Sequence, residues 1–441
     1  MTESPEAPSA TPVPTSGGEP GLGKRLRAAR AAIYLAFVFV LALGIRVWWV
    51  RHWIIANYPD QPSLEQYAAN VAHGLYYGTH GAYWPPAFIF LAGFIERWFG
   101  TGHQFLAVRE TNALLGALAV LLTADIARRI ARSPEAGLVA GILAALFAPA
   151  IYYTDTFLNA TLDALMLVAV IDAVIVLGDA AEPTARLLTL NGLLLGIATL
   201  TKETLLPLIV PAVLYWGTAG RWPHRWRKAL AAGVAVLALA LLVNVPWTIR
   251  NLRVTGSAVF VDVNGGVNWL IAHNPQSTGQ WMNLGNNNPI LLRGSGYDRP
   301  NTNRYAMQAG MRYFEAHPVL DLHQAVRVFA LFWTERDPDL ATYGSSLAPI
   351  TRDLHLPLIR FSLLRDIGLL GMLGLIPAWR RGFLVPLTLL GFSGGLALLF
   401  FAPRFRLPVD PLLMVSAAAG VVALVRWAYR SQAGEPDRKR T

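Results

Sequence analysis

KRLRAARAAIYLAFVFVLALGIRVWWV, residues 24–50, places four cations ahead of an apolar run broken only by Arg46. About 20 apolar residues cross a hydrocarbon core, and a basic flank keeps the preceding end in the cytoplasm. The polar stretch before the cations is rich in Pro, Ser and Gly and lacks the immediate basic-then-apolar order of a cleaved signal. Residues 1–28 therefore read as a disordered cytoplasmic tail and the apolar run as a retained first span.

Working outward, comparable runs recur near residues 106–127, 136–153, 160–178, 187–200, 204–219, 229–246, 359–378, 382–400 and 409–427. With residues 31–50 they make about ten spans in one membrane unit over residues 29–430, followed by a second cytoplasmic tail at 431–441. Composition agrees. Only 15% of the 441 residues are charged and 54% are hydrophobic, against roughly 25% charge in soluble domains. A soluble enzyme, a disordered chain and a fibre are excluded, and the fold class is an all-α polytopic membrane protein.

The net charge of +10 would suggest a nucleic-acid partner in a soluble chain. Here the cations cluster between spans: Arg128, Arg129 and Arg132; Arg221, Arg225, Arg227 and Lys228; Arg380 and Arg381; Arg426 and Arg430. Ten crossings place all of these on the side of the N-terminus, so they report orientation, with both termini cytoplasmic and no nucleic-acid partner. The chain has no Cys, which removes disulfide and thiolate chemistry.

Two long segments are then external, about 51–106 and 247–358. Their short apolar runs, 86–99 and 325–333, read as interfacial helices, being marginal as spans. Residues 260–299 carry Asn-Gly, Gly-Gly and Asn-Pro turn signals and read as an ordered loop platform. Residues 303–315 read as an amphipathic helix ended before Pro318.

Ionisable residues at membrane depth are costly and usually functional. They gather at the external span ends: Asp60 and Glu65; Arg109 and Asn112; Asp155 and Asn159; Lys202 and Glu203; Arg250, Asn251 and Arg253; Arg404 and Arg406. Acids and cations on one face suit an anionic, phosphate-bearing substrate, with an acid as base or metal ligand and cations on the phosphate. Simpler roles exist for several of them. Arg109 could snorkel to headgroups, Lys202 and Glu203 could form a local pair, and Asp155 could cap the helix starting near Asn159. Arg404 and Arg406, in a short turn before Pro408 and Pro411, go against the positive-inside trend and favour a functional role. His73, His80, His103 and His273 lack ligand spacing, which leaves a divalent cation open without defining a site for it.

These motifs resemble the bacterial membrane glycosyltransferases of the GT-C fold, relatives of the protein mannosyltransferases and the lipid A aminoarabinose transferases. The resemblance rests on SLEQYAANVAHG (63–74), WPPAFIFLAGFIERWFG (84–100), RETNALLGALAVLLTADIARR (109–129) and NGLLLGIATLTKETLLPLIVP (191–211). PWTIRNLRVTG (246–256), VNGGVNW (263–269), HNPQSTG (273–279) and RFRLPVDP (404–411) complete it, in order. It implies transfer of a hexosyl or pentosyl group from a polyprenyl-phosphate donor to a lipid, glycan or protein acceptor, at the external face of the bacterial inner membrane and among membrane lipids. Its catalytic acid lies in the first external segment. Glu65 has the better placement relative to Tyr67 and Asp60 the more usual identity, so Asp60 is favoured and Glu65 is the alternative. Lys202, Arg404, Arg406 and Arg109 would hold the donor phosphate. Tyr67, Asn112, Asp155, Asn159, Glu203, Asn264 and Asn274 would support substrate or structure. Two departures stand out: Trp84 precedes Pro-Pro where many relatives have Arg or His, and Asn159-Ala160-Thr161 replaces a frequent Ser-Glu-Pro, leaving Asp155 as the second acid. The competing classes are a transporter or flippase of lipid-linked sugars, for which neither an inverted repeat nor mid-span ionisable groups are evident, and an oligosaccharide or polysaccharide ligase.

Overall fold

Among the described residues, ten apolar helical segments follow one another where the hydropathy pattern places them. Six are long and apolar enough to cross a membrane, Gly23–His52, Phe105–Ala131, Ala160–Asp179, Arg225–Thr255, Phe361–Gly382 and Asp410–Gln432; four shorter ones are Pro134–Ala145, Ala185–Thr201, Glu203–Ala219 and Leu384–Ala397. The computed structural model describes residues 20–53, 60–75, 82–100, 102–285, 287–294, 299–334, 350 and 352–432. Most of both expected tails, His80, and residues 54–59, 76–81 and 335–349 of the expected external segments lie outside the described residues.

In chain order the helices are α1 (Pro20–His52), α2 (Gln61–Ala72), α3 (Pro86–Phe99), α4 (Gly102–Ala131), α5 (Pro134–Ala145), α6 (Ala148–Thr154), α7 (Ala160–Asp179) and α8 (Ala185–Thr201). A 3₁₀ turn, Glu203–Leu208, leads into α9 (Ile209–Ala219), then α10 (Arg225–Thr255), α11 (Gly265–Ala272), α12 (Pro289–Gly294), α13 (Pro300–Ala316) and α14 (Pro318–Thr334). The last group is α15 (Phe361–Gly371), a 3₁₀ turn Met372–Ala378, α16 (Trp379–Gly382), α17 (Leu384–Ala397), α18 (Pro403–Arg406) and α19 (Asp410–Gln432).

Charge pairs sort the helix ends. Arg30 meets Glu135 at 2.8 Å, Arg129 meets Asp172 at 3.1 Å, Arg381 meets Asp179 at 2.6 Å, and Lys228 pairs with Glu182. The cations expected on one side thus draw acids to one end of the bundle, as an even number of crossings between those loops requires. Arg51 meets Glu110 at 2.7 Å at the opposite end.

α1 already begins at Pro20, so the last residues of the expected N-terminal tail, 20–28, are helical, and two further spans differ from the expected outlines. The third breaks into α5 and α6, because Pro149 has no N–H to continue the ladder. Backbone freed inside a membrane needs partners. Arg46, buried in α1, donates to the carbonyls of Ala144 and Ala145 at 3.2 and 3.4 Å, and the 146–148 backbone exchanges two 2.9 Å bonds with Ile359. The seventh span was expected to end at Pro246, yet α10 runs through it to Gly256 (φ +69°). Its continuation is stitched from one side: Trp247 Nε1 donates to the Val261 carbonyl at 2.7 Å, Thr248 Oγ1 to Phe260 at 3.2 Å and Asn251 Nδ2 to Val259 at 3.1 Å.

The turn-rich region forms α11 and α12, and the expected amphipathic helix follows it as α13. Val267, Leu270, Ile271, Ala306 and Phe400 make a small apolar cluster of their own. His273 bridges Asp321 Oδ1 at 2.8 Å and the Leu398 carbonyl at 3.1 Å, and the Phe401 amide donates to Gly279 at 2.8 Å. On its other side the Val263 amide donates to Ala82 at 2.7 Å. The platform therefore ties the segment before α3 to the one before α18. At about 1.5 Å per residue, the 14-residue α3 reaches about 21 Å, short of a bilayer core of about 30 Å.

Small residues let α15 and its 3₁₀ extension lie against α19. A Cβ on Gly371 would fall 2.3 Å from the Ser416 carbonyl oxygen, and one on Gly374 2.5 Å from the Gly420 Cα. Backbone contact of this kind drives helix association in lipid. Gly371→Leu is expected to cost about 1–3 kcal/mol by overpacking and to lower the thermal midpoint of the purified protein. Gly391→Ala, where a Cβ meets nothing within 4 Å, is the control. Equal midpoints for the two variants would refute the close crossing.

Candidate active site

Asp60 stands at the N-terminal boundary of α2, where a carboxylate commonly caps the helix. It makes no side-chain cap bond and instead forms an ion pair with Arg404 Nη1, whose side chain is 18% exposed against 24% for Asp60. Arg404 is placed by α18, a single turn begun by Pro403 after extended Ala402. The next residue, Phe405, carries two cations near its ring: the Arg404 guanidinium carbon at 5.3 Å and Lys202 Nζ at 4.3 Å from the centroid.

Lys202 closes α8 in an extended conformation, with its amide still donating to Ala198 at 2.9 Å. Its ammonium lies 3.9 Å from Asp163 Oδ2, on the first turn of α7. Asn159 Nδ2 reaches the same oxygen at 3.0 Å and the Thr201 carbonyl at 3.2 Å, joining the start of α7 to the end of α8. Burial presses the Lys202 ammonium below its ordinary range while Asp163 opposes that shift; Glu203 and Asp262 also favour the charged form and Arg404 disfavours it. Asp262 comes from the platform. Burial, then the neighbouring Glu203, pushes its carboxyl well above the usual range, although Oδ1 accepts from the Asn264 amide at 3.0 Å.

Of the residues expected from the sequence, Asp60, Asn159, Lys202, Glu203 and Arg404 come together here. Glu65, five residues after Asp60, turns elsewhere: it accepts from Gln61 Nε2 at 2.8 Å and faces Glu96 of α3. Glu96 is 4% exposed, neither carboxyl oxygen has a hydrogen-bond partner among the described residues, and burial and then Glu65 push its pKa up to about 7. Tyr67 packs half-buried against the main core. Trp84 Nε1 donates to Ser63 Oγ at 2.5 Å, fastening α2 to the segment before α3.

The other expected residues serve other contacts. Arg109 pairs with Asp155 in full burial and donates to the Val50 carbonyl at 2.6 Å, so Arg109 does not snorkel. Asn112 Nδ2 donates to the Thr156 carbonyl at 3.1 Å. Arg406 is 2% exposed, lies 3.4 Å from Asp410 and covers the Phe361 ring at 3.1 Å. Asn264 donates to the Tyr83 carbonyl at 2.9 Å. Asn274 ends α11 by donating to Leu270 and Ile271 at 2.8 and 2.9 Å.

Asp163, Asp262 and Asp410 were missed. Asp163 carried a signal, an acid in the first turn of an apolar helix four residues after Asn159. Asp410 follows Arg406 by the same spacing; Asp262 offered nothing beyond its place in a loop. Among the described residues no three His, Asp or Glu side chains converge as a metal cradle.

A polytopic bundle with an acid–cation cluster assembled from four helix ends and a loop platform defines the class: the chain has the GT-C fold. Its backbone matches the archaeal oligosaccharyltransferase AglB from Archaeoglobus fulgidus, solved with an inhibitory peptide and a dolichol-phosphate, with a TM-score of 0.53 at 15% identity, over 95% of this chain and 53% of that one. Residues 84–247 match the family described as dolichyl-phosphate-mannose-protein mannosyltransferase. Undecaprenyl phosphate-alpha-4-amino-4-deoxy-L-arabinose arabinosyl transferases of Pseudomonas aeruginosa and Pseudomonas paraeruginosa are 36% and 35% identical over 162 residues, 34% of this chain. The match spans 27% of the length of those relatives. The relationship read from the motifs is borne out. Asn159, Asp163, Lys202 and Glu203 fall inside the family match, whereas Asp60, Asp262 and Arg404 lie outside it.

Proposed function

We propose that the protein transfers a sugar from a polyprenyl-phosphate donor to a hydroxyl of a lipid, glycan or protein acceptor, with Asp60 as base and Arg404 and Lys202 on the phosphate. The observation that carries this reading is the Asp60–Arg404 pair beside Lys202. The base and the cation suited to a departing phosphate already touch. As Asp60 takes the acceptor proton, the hydroxyl oxygen attacks the anomeric carbon from the face opposite the phosphate. The glycosyl–oxygen bond breaks, its electron pair leaves on the phosphate, and configuration inverts. The phosphodiester gains a negative charge as it becomes a monoester, and fixed cations in a water-poor site stabilise that developing charge. One carboxylate is enough because phosphate leaves without protonation.

Arg404 would exchange its contact with Asp60 for the phosphate, which frees the carboxylate when the donor arrives. Arg406 and Arg109, each engaged in its own buried pair, would support the site from behind. The cation-rich bundle end would face the cytoplasm of a bacterial inner membrane, leaving the site external.

The test is transfer by the purified protein from a panel of polyprenyl-phosphate pentoses and hexoses to membrane acceptors, with and without chelator. No turnover with any donor, at wild-type folding, would end this reading. Arg404→Gln removes a charged hydrogen bond worth about 1.5–3 kcal/mol, so the donor KM is expected to rise by about 10–100-fold at an unchanged acceptor KM. An unchanged donor KM would remove Arg404 from the phosphate.

A further inference from the structure

We propose that Asp163 is the positioning residue for Lys202: it holds the ammonium charged and aimed at the donor phosphate from one helical turn inside α7. The inference rests on the proposed function, in which Lys202 meets that phosphate. Asp163 is 1% exposed in an apolar helix, a placement that is expensive without compensation. Its compensation is asymmetric. Asn159 donates to Oδ2 at 3.0 Å, whereas Lys202 stays at 3.9 Å and, among the described residues, no donor hydrogen-bonds to Oδ1.

That separation distinguishes the two cations of the site. Arg404 is in direct contact with Asp60. At 3.9 Å Lys202 feels the field of Asp163 without a hydrogen bond to it, which leaves its ammonium able to donate to a phosphate. The Phe405 ring at 4.3 Å fixes the ammonium from another side.

The groups facing Lys202 are Asp163 from α7, Arg404 from the α18 turn, Asp262 from the platform and Glu203 beside it. Burial and Arg404 favour loss of its proton, while Asp163, foremost among the three acids, opposes it. Without Asp163, the ammonium is charged only at lower pH and phosphate affinity falls as pH rises. Asn159 offers a second place for the acid, since its side chain already reaches the carbonyl of Thr201, the residue before Lys202.

The experiment measures binding of undecaprenyl phosphate to the purified full chain at about pH 7.5 and about pH 9, both well above the second phosphate pKa of about 6, so that the charge of the ligand stays the same. Wild type is expected to lose less affinity between the two than D163N does. D163N is expected to lose about tenfold or more at the higher pH and clearly less at the lower. K202M loses affinity at both, and adding D163N to it changes nothing further. The swap N159D/D163N, which keeps an acid beside Lys202, is expected to bind within about threefold of wild type, and it decides the matter where D163N alone does not accumulate. D163N binding like wild type, a loss independent of pH that adds in full to that of K202M, or a swap as weak as K202M would each overturn the inference. Wild type that binds no undecaprenyl phosphate at either pH overturns the proposed function itself, and this inference with it.

Discussion

Asp60→Asn is expected to lower kcat for sugar transfer by about 10²–10⁴-fold, the range for loss of a positioned general base, while polyprenyl-phosphate binding is kept or tightened. The combination follows from the geometry. Asparagine keeps the shape of the side chain but neither accepts the acceptor proton nor neutralises Arg404, its partner across the site. Arg404 is then freer to meet phosphate, so turnover and donor affinity move in opposite directions. A residue of merely structural importance would lower both. Glu65→Gln sets the contrast. Glu65 accepts from Gln61 and faces buried Glu96, so its amide is expected to leave transfer within about threefold of wild type, the size of a surface substitution. Membrane assays at matched protein levels, with donor binding measured in parallel, check both. Full transfer by D60N with loss in E65Q would reverse the assignment of the base.

The ten spans were legible because hydropathy and clustered cations are local signals repeated along the chain. What escaped was set by partners far away in sequence. Nothing near Ala145 announces that Arg46 and Ile359 will satisfy a broken third span, or that residues 259–261 will support α10 beyond Pro246. The site divides in the same way. Asp60 and Arg404 were each singled out by residue type and place, but their pairing bridges 344 positions. Lys202 was matched with its neighbour Glu203 on sequence distance, whereas extended backbone at Lys202 sends its side chain toward Asp163. Arg404 and Arg406 looked equivalent in a turn. On α18, residues two apart differ by about 200° around the axis, so one meets Asp60 and the other is buried on Phe361.

Breaking the Arg109–Asp155 pair is expected to cost about 3–5 kcal/mol, the penalty for leaving one member of a buried ion pair uncompensated. The two side chains are 5% and 0% exposed, so water cannot take the place of either partner. Asp155→Ala removes the counter-charge of the Arg109 guanidinium at the junction of α4 and α6, and Arg109→Met removes that of the carboxylate. The double variant R109M/D155L removes both charges and is expected to destabilise less than either single change, because an apolar pair of similar volume avoids desolvation altogether. Unfolding of the purified protein in mixed micelles measures this, and a double variant whose loss equals the sum of the single losses would show that the two groups do not interact. Activity supplies a second readout. Arg109 also holds the carbonyls of Val50 and Trp53, fixing the end of α1 seven residues before Asp60. The double variant loses that anchor. It is therefore expected to recover much of the stability yet transfer sugar poorly, since a base displaced by about 1 Å can lose on the order of a hundredfold in rate. Recovery of both together would mean that the carbonyl bonds of Arg109 do not set the position of Asp60.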